Sequence, residues 1–225
     1  MYKYETHLHT SGVSACSRAD VREQMEFYKE LGYDGIFITN HFVDGNGLCN
    51  GMKDYNEKIE FFFTDFEKAK ELEKEIGIKV FCGVEMSHGG TDFLVYGPDK
   101  KWYLDHPGIE NMEKSEELPY LRSHGALVVQ AHPFREDRWI DHIRLYPRCV
   151  DGIEIINANR GDFENGMAKH YAESYGLLKL AGSDNHAGKM QKNLAGMMSA
   201  VPIENEAHFI TLCREGKLEI FHNKA

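Results

Sequence analysis

The stretch Tyr2-Lys-Tyr-Glu-Thr6-His7-Leu-His9 starts as a short strand and runs straight into two histidines at alternate positions. Alternate residues of a strand point the same way, so the imidazoles of His7 and His9 can grip one cation. Alone, such a pair is a short motif that ordinary polar strand residues also produce. Its weight comes from repetition along the chain. Past the predicted strand 35–39 stands His41, past 79–84 stands Glu85, past 126–130 stands His132, and past 178–181 stand Asp184 and His186, again two apart. Each of these side chains can bind a metal.

The segments between them read as helices. Residues 20–31 place Val21, Met25, Tyr28 and Leu31 on one face, with Gly32 as the stop. The spacing Ile59, Phe62, Phe63, Phe66, Ala69, Leu72, Ile76 predicts one long helix over 57–76, ended by Gly77. Further strands are expected over 93–96, 152–156, 198–201 and 218–221, helices over 110–123, 164–175 and 205–214, and a loop over 98–108. No linker or low-complexity run interrupts them, so residues 1–225 are read as a single domain. Alternating strands and helices imply a mainly parallel sheet with right-handed crossovers, either open or closed. A closed β/α barrel brings its C-terminal strand ends together on one face, whereas an open sheet spreads them apart. The candidate ligands therefore favour an α/β fold of the TIM-like barrel type.

Individual positions carry their own arguments. An unpaired carboxylate at Glu85, just past a buried-looking strand, would cost roughly several kcal/mol, which a bridge between two cations would relieve. Pro133 turns the chain out of the strand direction and fixes His132 at the rim. The remaining histidines (His106, His124, His142, His170, His208, His222) fall on helices or loops and read as ordinary residues. The loop 44–51 has three glycines but no Gly-Lys-Ser/Thr, so it is read as a mobile lid rather than a P-loop.

Composition limits the partners. The net charge of −10 disfavours broad contact with nucleic acid and fits a small substrate. No run is long and apolar enough to span a membrane, and the N-terminus lacks the apolar core of a secretory signal, which predicts a cytoplasmic protein. Five cysteines without Cys-x-x-Cys spacing argue against a disulfide framework or a zinc knuckle.

The motifs His7-Leu-His9-Thr, Thr39-Asn-His41, Gly83-Val-Glu85, Ala131-His-Pro133 and Gly182-Ser-Asp-Asn-His186 resemble those of the PHP (polymerase and histidinol phosphatase) family, in its order and across nearly the whole chain. The resemblance implies a distorted (β/α)7 barrel, PHP-type, with two or three divalent metal ions (Zn, Mn or Fe) that hydrolyse phosphate esters. Carried over by motif, His7, His9, Glu85 and Asp184 would hold one metal, Glu85 would bridge to a second held by His132, and His41 and His186 would face a third. Glu85, His132 and Asp184 would then stand at the reacting centre. Where many members have histidine before a Leu-rich strand, this chain offers Asp92, an oxygen donor preferred here over His88. Where members commonly supply His or Asp to the third metal, it reads Ser14-Ala-Cys16-Ser, which leaves that site empty, weak, or completed by Cys16 or water. Asn40 stands where the family often has Asp.

The chemistry expected is hydrolysis of a small phosphomonoester, with cations activating the water. Arg135 and Arg160, just beyond strand ends, and Arg18 are the candidate phosphate clamps. The alternatives are a histidinol phosphatase, a nuclease or editing-type phosphodiesterase, and an inactive metal-binding regulatory module. Trp102, Tyr103, Trp139 and Tyr146 are assigned no role, and the sequence does not specify an oligomeric state.

Overall fold

The computed structural model describes residues 1–224. Nine strands form one sheet: β1 (Tyr2–Leu8), β2 (Gly35–Ile38), β3 (Lys79–His88), β4 (Thr91–Tyr96), β5 (Leu127–Ala131), β6 (Gly152–Asn157), β7 (Leu178–Gly182), β8 (Leu194–Ser199) and β9 (Leu218–Asn223). Their order is β7-β6-β5-β4-β3-β2-β1-β8-β9. The sheet curls until the end of β7 returns to the end of β1, where His9 N donates to Asn185 O (3.0 Å) and Asn185 N donates to His7 O (3.2 Å). β8 is tied over this seam by Ser183 Oγ, which donates to Ala195 O and accepts from Ala195 N, both at 3.0 Å. The result is a nearly closed barrel, as the strand-end ligands required.

The barrel is not seven parallel β/α units. Pairs β1/β2, β2/β3, β5/β6 and β6/β7 are parallel, but β4 runs antiparallel to both β3 and β5, and β8 runs antiparallel to β1 and β9. The cause of the β4 reversal is local. β3 continues to His88 and turns through Gly89-Gly90, both at positive φ (54° and 88°), a backbone that a two-residue hairpin demands and glycine supplies.

Two helix expectations also change. The stripe over 57–76 divides into α2 (Tyr55–Phe62) and α3 (Thr64–Ile76), with α1 (Val21–Glu30) preceding them. Phe63 sits at the break, fully buried beside Phe62, Phe66 and Tyr103, so its aromatic anchoring is kept while the helix axis is interrupted. The expected loop over 98–108 contains α4 (Lys100–Asp105), capped by Asp99, whose Oδ1 accepts from Trp102 N (2.8 Å). One turn and a half is too short to show periodicity. The remaining helices are α5 (Lys114–Ser123), α6 (Asp162–Tyr175) and α7 (Glu206–Arg214). α7 plugs the end of the barrel opposite the strand-end histidines. Phe209 packs on Phe37 and Tyr96 at ring separations of 4.4 and 5.1 Å, burying side chains worth about 1.5–3 kcal/mol each. No described helix is long and apolar enough to cross a membrane.

Candidate metal centre

The open end of the barrel holds a cavity of about 480 Å³, and the strand-end residues converge on its floor. His7 and His9 leave the end of β1 side by side, their Nε2 atoms 3.2 Å apart. His7 Nε2 lies 3.2 Å from Glu85 Oε1 and 3.5 Å from Asp184 Oδ1. His9 Nε2 lies 3.3 Å from both Glu85 Oε2 and Asp184 Oδ1. His132 Nε2 approaches Glu85 Oε1 (3.3 Å) from the far side, and His41 Nδ1 approaches Glu85 Oε2 (2.8 Å). Three groups have donor atoms within 4.8 Å of one another: His7 with His9 and Asp184, His7 with Glu85 and His132, and His9 with His41 and His186.

Asp92 is brought in by the β4 reversal. An antiparallel strand starts at the face where its neighbours end, so Asp92, second in β4, pairs with Ser87 and Ala131. Its Oδ2 lies 3.9 Å from His132 Nε2 and 2.9 Å from Arg135 Nη2. His88, at the hairpin itself, does not line the cavity.

Backbone geometry at two of these positions is costly. His132 (φ 27°) and Asp184 (φ 55°) are the non-glycine residues at positive φ among those described, a conformation that L side chains avoid. Hydrogen bonds hold both. His132 N donates to Glu154 Oε2 (3.0 Å), and Asp184 O accepts from Asn159 Nδ2 (2.6 Å).

Burial opposes charge on His7, His9, His41, Glu85 and Asp184, and on all but His9 the facing partners prevail. Glu85 is held well below the usual carboxylate range by His41 and His7, and Asp184 by His7 and His9. Glu154, Asp184 and Glu85 drive His7 well above the usual imidazole range, and Glu85 does the same for His41. His9, buried and flanked by the rings of His186 (4.0 Å) and His41 (4.5 Å), is driven well below it. The Cys16 thiol is lowered to about 6, because hydrogen bonds with His186 and His41 outweigh its burial.

Comparison with proteins of known structure gives the arrangement a context. The chain superposes on a two-domain protein of Bacteroides vulgatus containing a predicted PHP-like metal-dependent phosphoesterase, with a TM-score of 0.67 at 14% identity, over 98% of this chain and 64% of that one. It therefore spans less than two thirds of that protein. It matches a protein of Bifidobacterium adolescentis assigned as a metal-dependent phosphoesterase at a TM-score of 0.60 and 14% identity, covering 95% and 96% of the two chains. The chain has the PHP-like fold. In sequence it is 23% identical over 169 residues to an uncharacterised protein of Methanocaldococcus jannaschii, covering 71% of this chain and 84% of that one. No family model matches the chain.

On this PHP-like fold, buried polar atoms indicate whether the donors suit a cation. His41 Nδ1, Glu85 Oε2 and Asp92 Oδ2 are buried and make no hydrogen bond of proper geometry. Imidazole nitrogens and carboxylate oxygens crowded into one buried space, in close ion pairs but without well-formed hydrogen bonds, are what a divalent ion would satisfy. The set fits. The arginine Nε atoms of Arg135 and Arg160 are likewise buried without a hydrogen-bond partner, and both side chains line the cavity. Arg135 also stacks on Trp139, 5.0 Å from the ring centre, at the cavity mouth. Arg18 is not brought to the cavity: its side chain is exposed, and its backbone N–H donates to His186 O (2.8 Å).

Sequence reading missed Glu154. Its Oε1 holds His7 Nδ1 at 2.9 Å, and its Oε2 accepts from His132 N and from Asn157 Nδ2 (2.9 Å), so one carboxylate orients two of the imidazole-bearing residues. The available signal was an acidic residue between Ile153 and Ile155 in an otherwise apolar, largely buried strand. Ser14 was overlooked in the same way. Its hydroxyl lies 3.2 Å from His9 Nδ1, accepts from His41 N (3.0 Å) and donates to Asn40 Oδ1 (2.8 Å). Asn40 thus acts on His9 through Ser14. The glycine loop expected as a free lid is laced down, with Ala15 N donating to Asn46 O (2.9 Å) and Leu48 N to Val13 O (2.8 Å).

Proposed function

We propose that this chain is a metal-dependent phosphoesterase that hydrolyses a small phosphomonoester. The observation that carries the reading is the convergence of His7, His9, His41, Glu85, Asp92, His132, Asp184 and His186, from six separate stretches of chain, at the base of one cavity. His7, His9, Glu85 and Asp184 would hold one divalent ion, and His132 and Asp92 a second with Glu85 between them. Zn, Mn and Fe all suit this mixture of imidazole and carboxylate. When bound, two such ions supply an activated water and neutralise charge on both the attacking and leaving oxygens of phosphorus.

The chain's own residues do the rest. Glu154 fixes the tautomer of His7 so that Nε2 faces the cavity, and Ser14 does the same for His9. Arg135 and Arg160 present Nε donors without protein partners toward a phosphate at the cavity wall, the planar geometry that phosphate recognition favours. The cavity volume suits a small substrate, in keeping with the net charge of −10.

Bound metal measured by plasma emission and phosphate release from a panel of monoesters test this together. The wild-type protein is expected to carry at least two ions and to turn over some members of the panel. His9→Ala is expected to lose metal and to lower kcat/KM by more than the roughly 100-fold that loss of an outer partner costs. Full metal content and undiminished turnover in that variant would refute the assignment.

A further inference from the structure

The geometry points to Cys16 as a thiolate ligand of a third metal position, shared with His41 and His186, that takes zinc or ferrous iron in preference to magnesium or manganese. The inference rests on the metal centre proposed above and adds a sulfur donor to it. His9 cannot be the main donor on this side, because its Nε2 already faces His7, Glu85 and Asp184 and its Nδ1 is held by Ser14. His41 presents opposite edges to two places. Its Nδ1 lies 2.8 Å from Glu85 Oε2, and its Nε2 faces Cys16 Sγ at 3.2 Å. His186 Nδ1 is engaged by Asp184 O at 2.9 Å, which leaves Nε2 as its free nitrogen, and the Cys16 thiol is its hydrogen-bond neighbour.

Two imidazole nitrogens and one sulfur thus meet at the cavity edge. The sulfur is held there despite its exposure. Ser17 N donates to Ser14 O (3.1 Å), Ser17 Oγ donates to His9 O (3.1 Å) and lies 3.3 Å from His186 O, and Ala15 N donates to Asn46 O. These bonds pin Ser17 to the strand ends that carry His9 and His186, and Ala15 to the glycine loop beside His41. Among the described cysteines, Cys16 alone lines the cavity, while Cys49, Cys82 and Cys213 are buried elsewhere. A soft thiolate with two imidazoles selects zinc or iron over the hard, oxygen-preferring ions.

Cobalt(II) reports sulfur ligation directly, through a thiolate-to-metal charge-transfer band in the near ultraviolet. Titration of the metal-free full-length protein with cobalt is expected to give that band in the wild type. Cys16→Ser is expected to lack it and to bind one cobalt fewer, and Cys16→Asp to regain the ion without the band. Independently of any variant, zinc is expected to slow alkylation of Cys16 by iodoacetamide at least about tenfold, because a metal-bound thiolate is no longer free to attack. Cobalt bound in equal amount by wild type and Cys16→Ser, with no charge-transfer band and no protection by zinc, would overturn the Cys16 assignment and leave the metal centre standing. No cobalt bound by either protein would overturn both.

Discussion

Two buried clusters of charge share one wall of this barrel, and they are built on opposite plans. In the first, Lys114 from α5 contacts Glu117 and donates to Asp44 Oδ2 (2.7 Å), all three side chains being at most 11% exposed. The chain supplies its own cation. In the second, at the barrel mouth, three carboxylates and five imidazoles face one another, and the guanidinium of Arg135 reaches Asp92 alone among the three carboxylates. The first cluster has a structural task. It anchors Asp44, whose Oδ1 also accepts from Ser87 N (3.3 Å), and so fixes the loop that walls the cavity. The lesson is that burial of charge alone does not mark a functional site. The mark is a surplus of converging, already oriented nitrogen and oxygen donors over the fixed cations beside them.

The sharpest way to break this contrast is to remove the internal cation. Lys114→Met strands Asp44 and Glu117 without a partner and should lower stability by about 3–5 kcal/mol. Urea denaturation would measure it, and the surviving folded protein should still bind its metal ions. Loss of metal with unchanged stability would mean that the two clusters are not separate.

A second test uses pH. One ammonium serves two carboxylates, so burial and the second carboxylate push Glu117 up to about 7 despite Lys114. The folded state therefore holds this proton more tightly than the unfolded chain. The contribution to stability is complete below about pH 4.5 and is lost as pH rises through about 7, to a total of about 3 kcal/mol. Glu117→Gln should flatten the stability profile across that window. An unchanged slope would show that Glu117 does not hold the proton.

The smallest effect belongs to the residue that links the fold to the second cluster. Glu154→Gln keeps the shape but weakens the grip on His7 and His132, and should reduce metal affinity by about 10–100-fold. Competition against a metal chelator would measure it. An affinity unchanged from wild type would remove Glu154 from the centre.

How much of this was legible depended on direction along the chain. His41, Glu85, His132, Asp184 and His186 could be found because each follows a stretch read as a strand, and a barrel gathers the ends of parallel strands; β3 itself runs on past Glu85 to His88. Asp92 precedes the stretch 93–96 read as a strand, and it reaches the site because Gly89-Gly90 reverses β4, a turn signal present in the sequence but not used to orient the strand. Glu154 and Ser14 bind no substrate in the proposed scheme and carry no motif, so they became visible only through their distances to His7, His9 and His132. Phe63 escaped for another reason. A helix break that preserves the apolar stripe leaves no trace in periodicity.

The left-handed backbone at His132 and Asp184 has a further consequence. Strain of this kind costs about 1–3 kcal/mol at each residue. Glycine would adopt the same conformations freely, so the variant His132→Gly would gain backbone ease while forfeiting the imidazole. The protein thus stands below the stability its own fold could reach, and the shortfall is located at two of the candidate metal ligands.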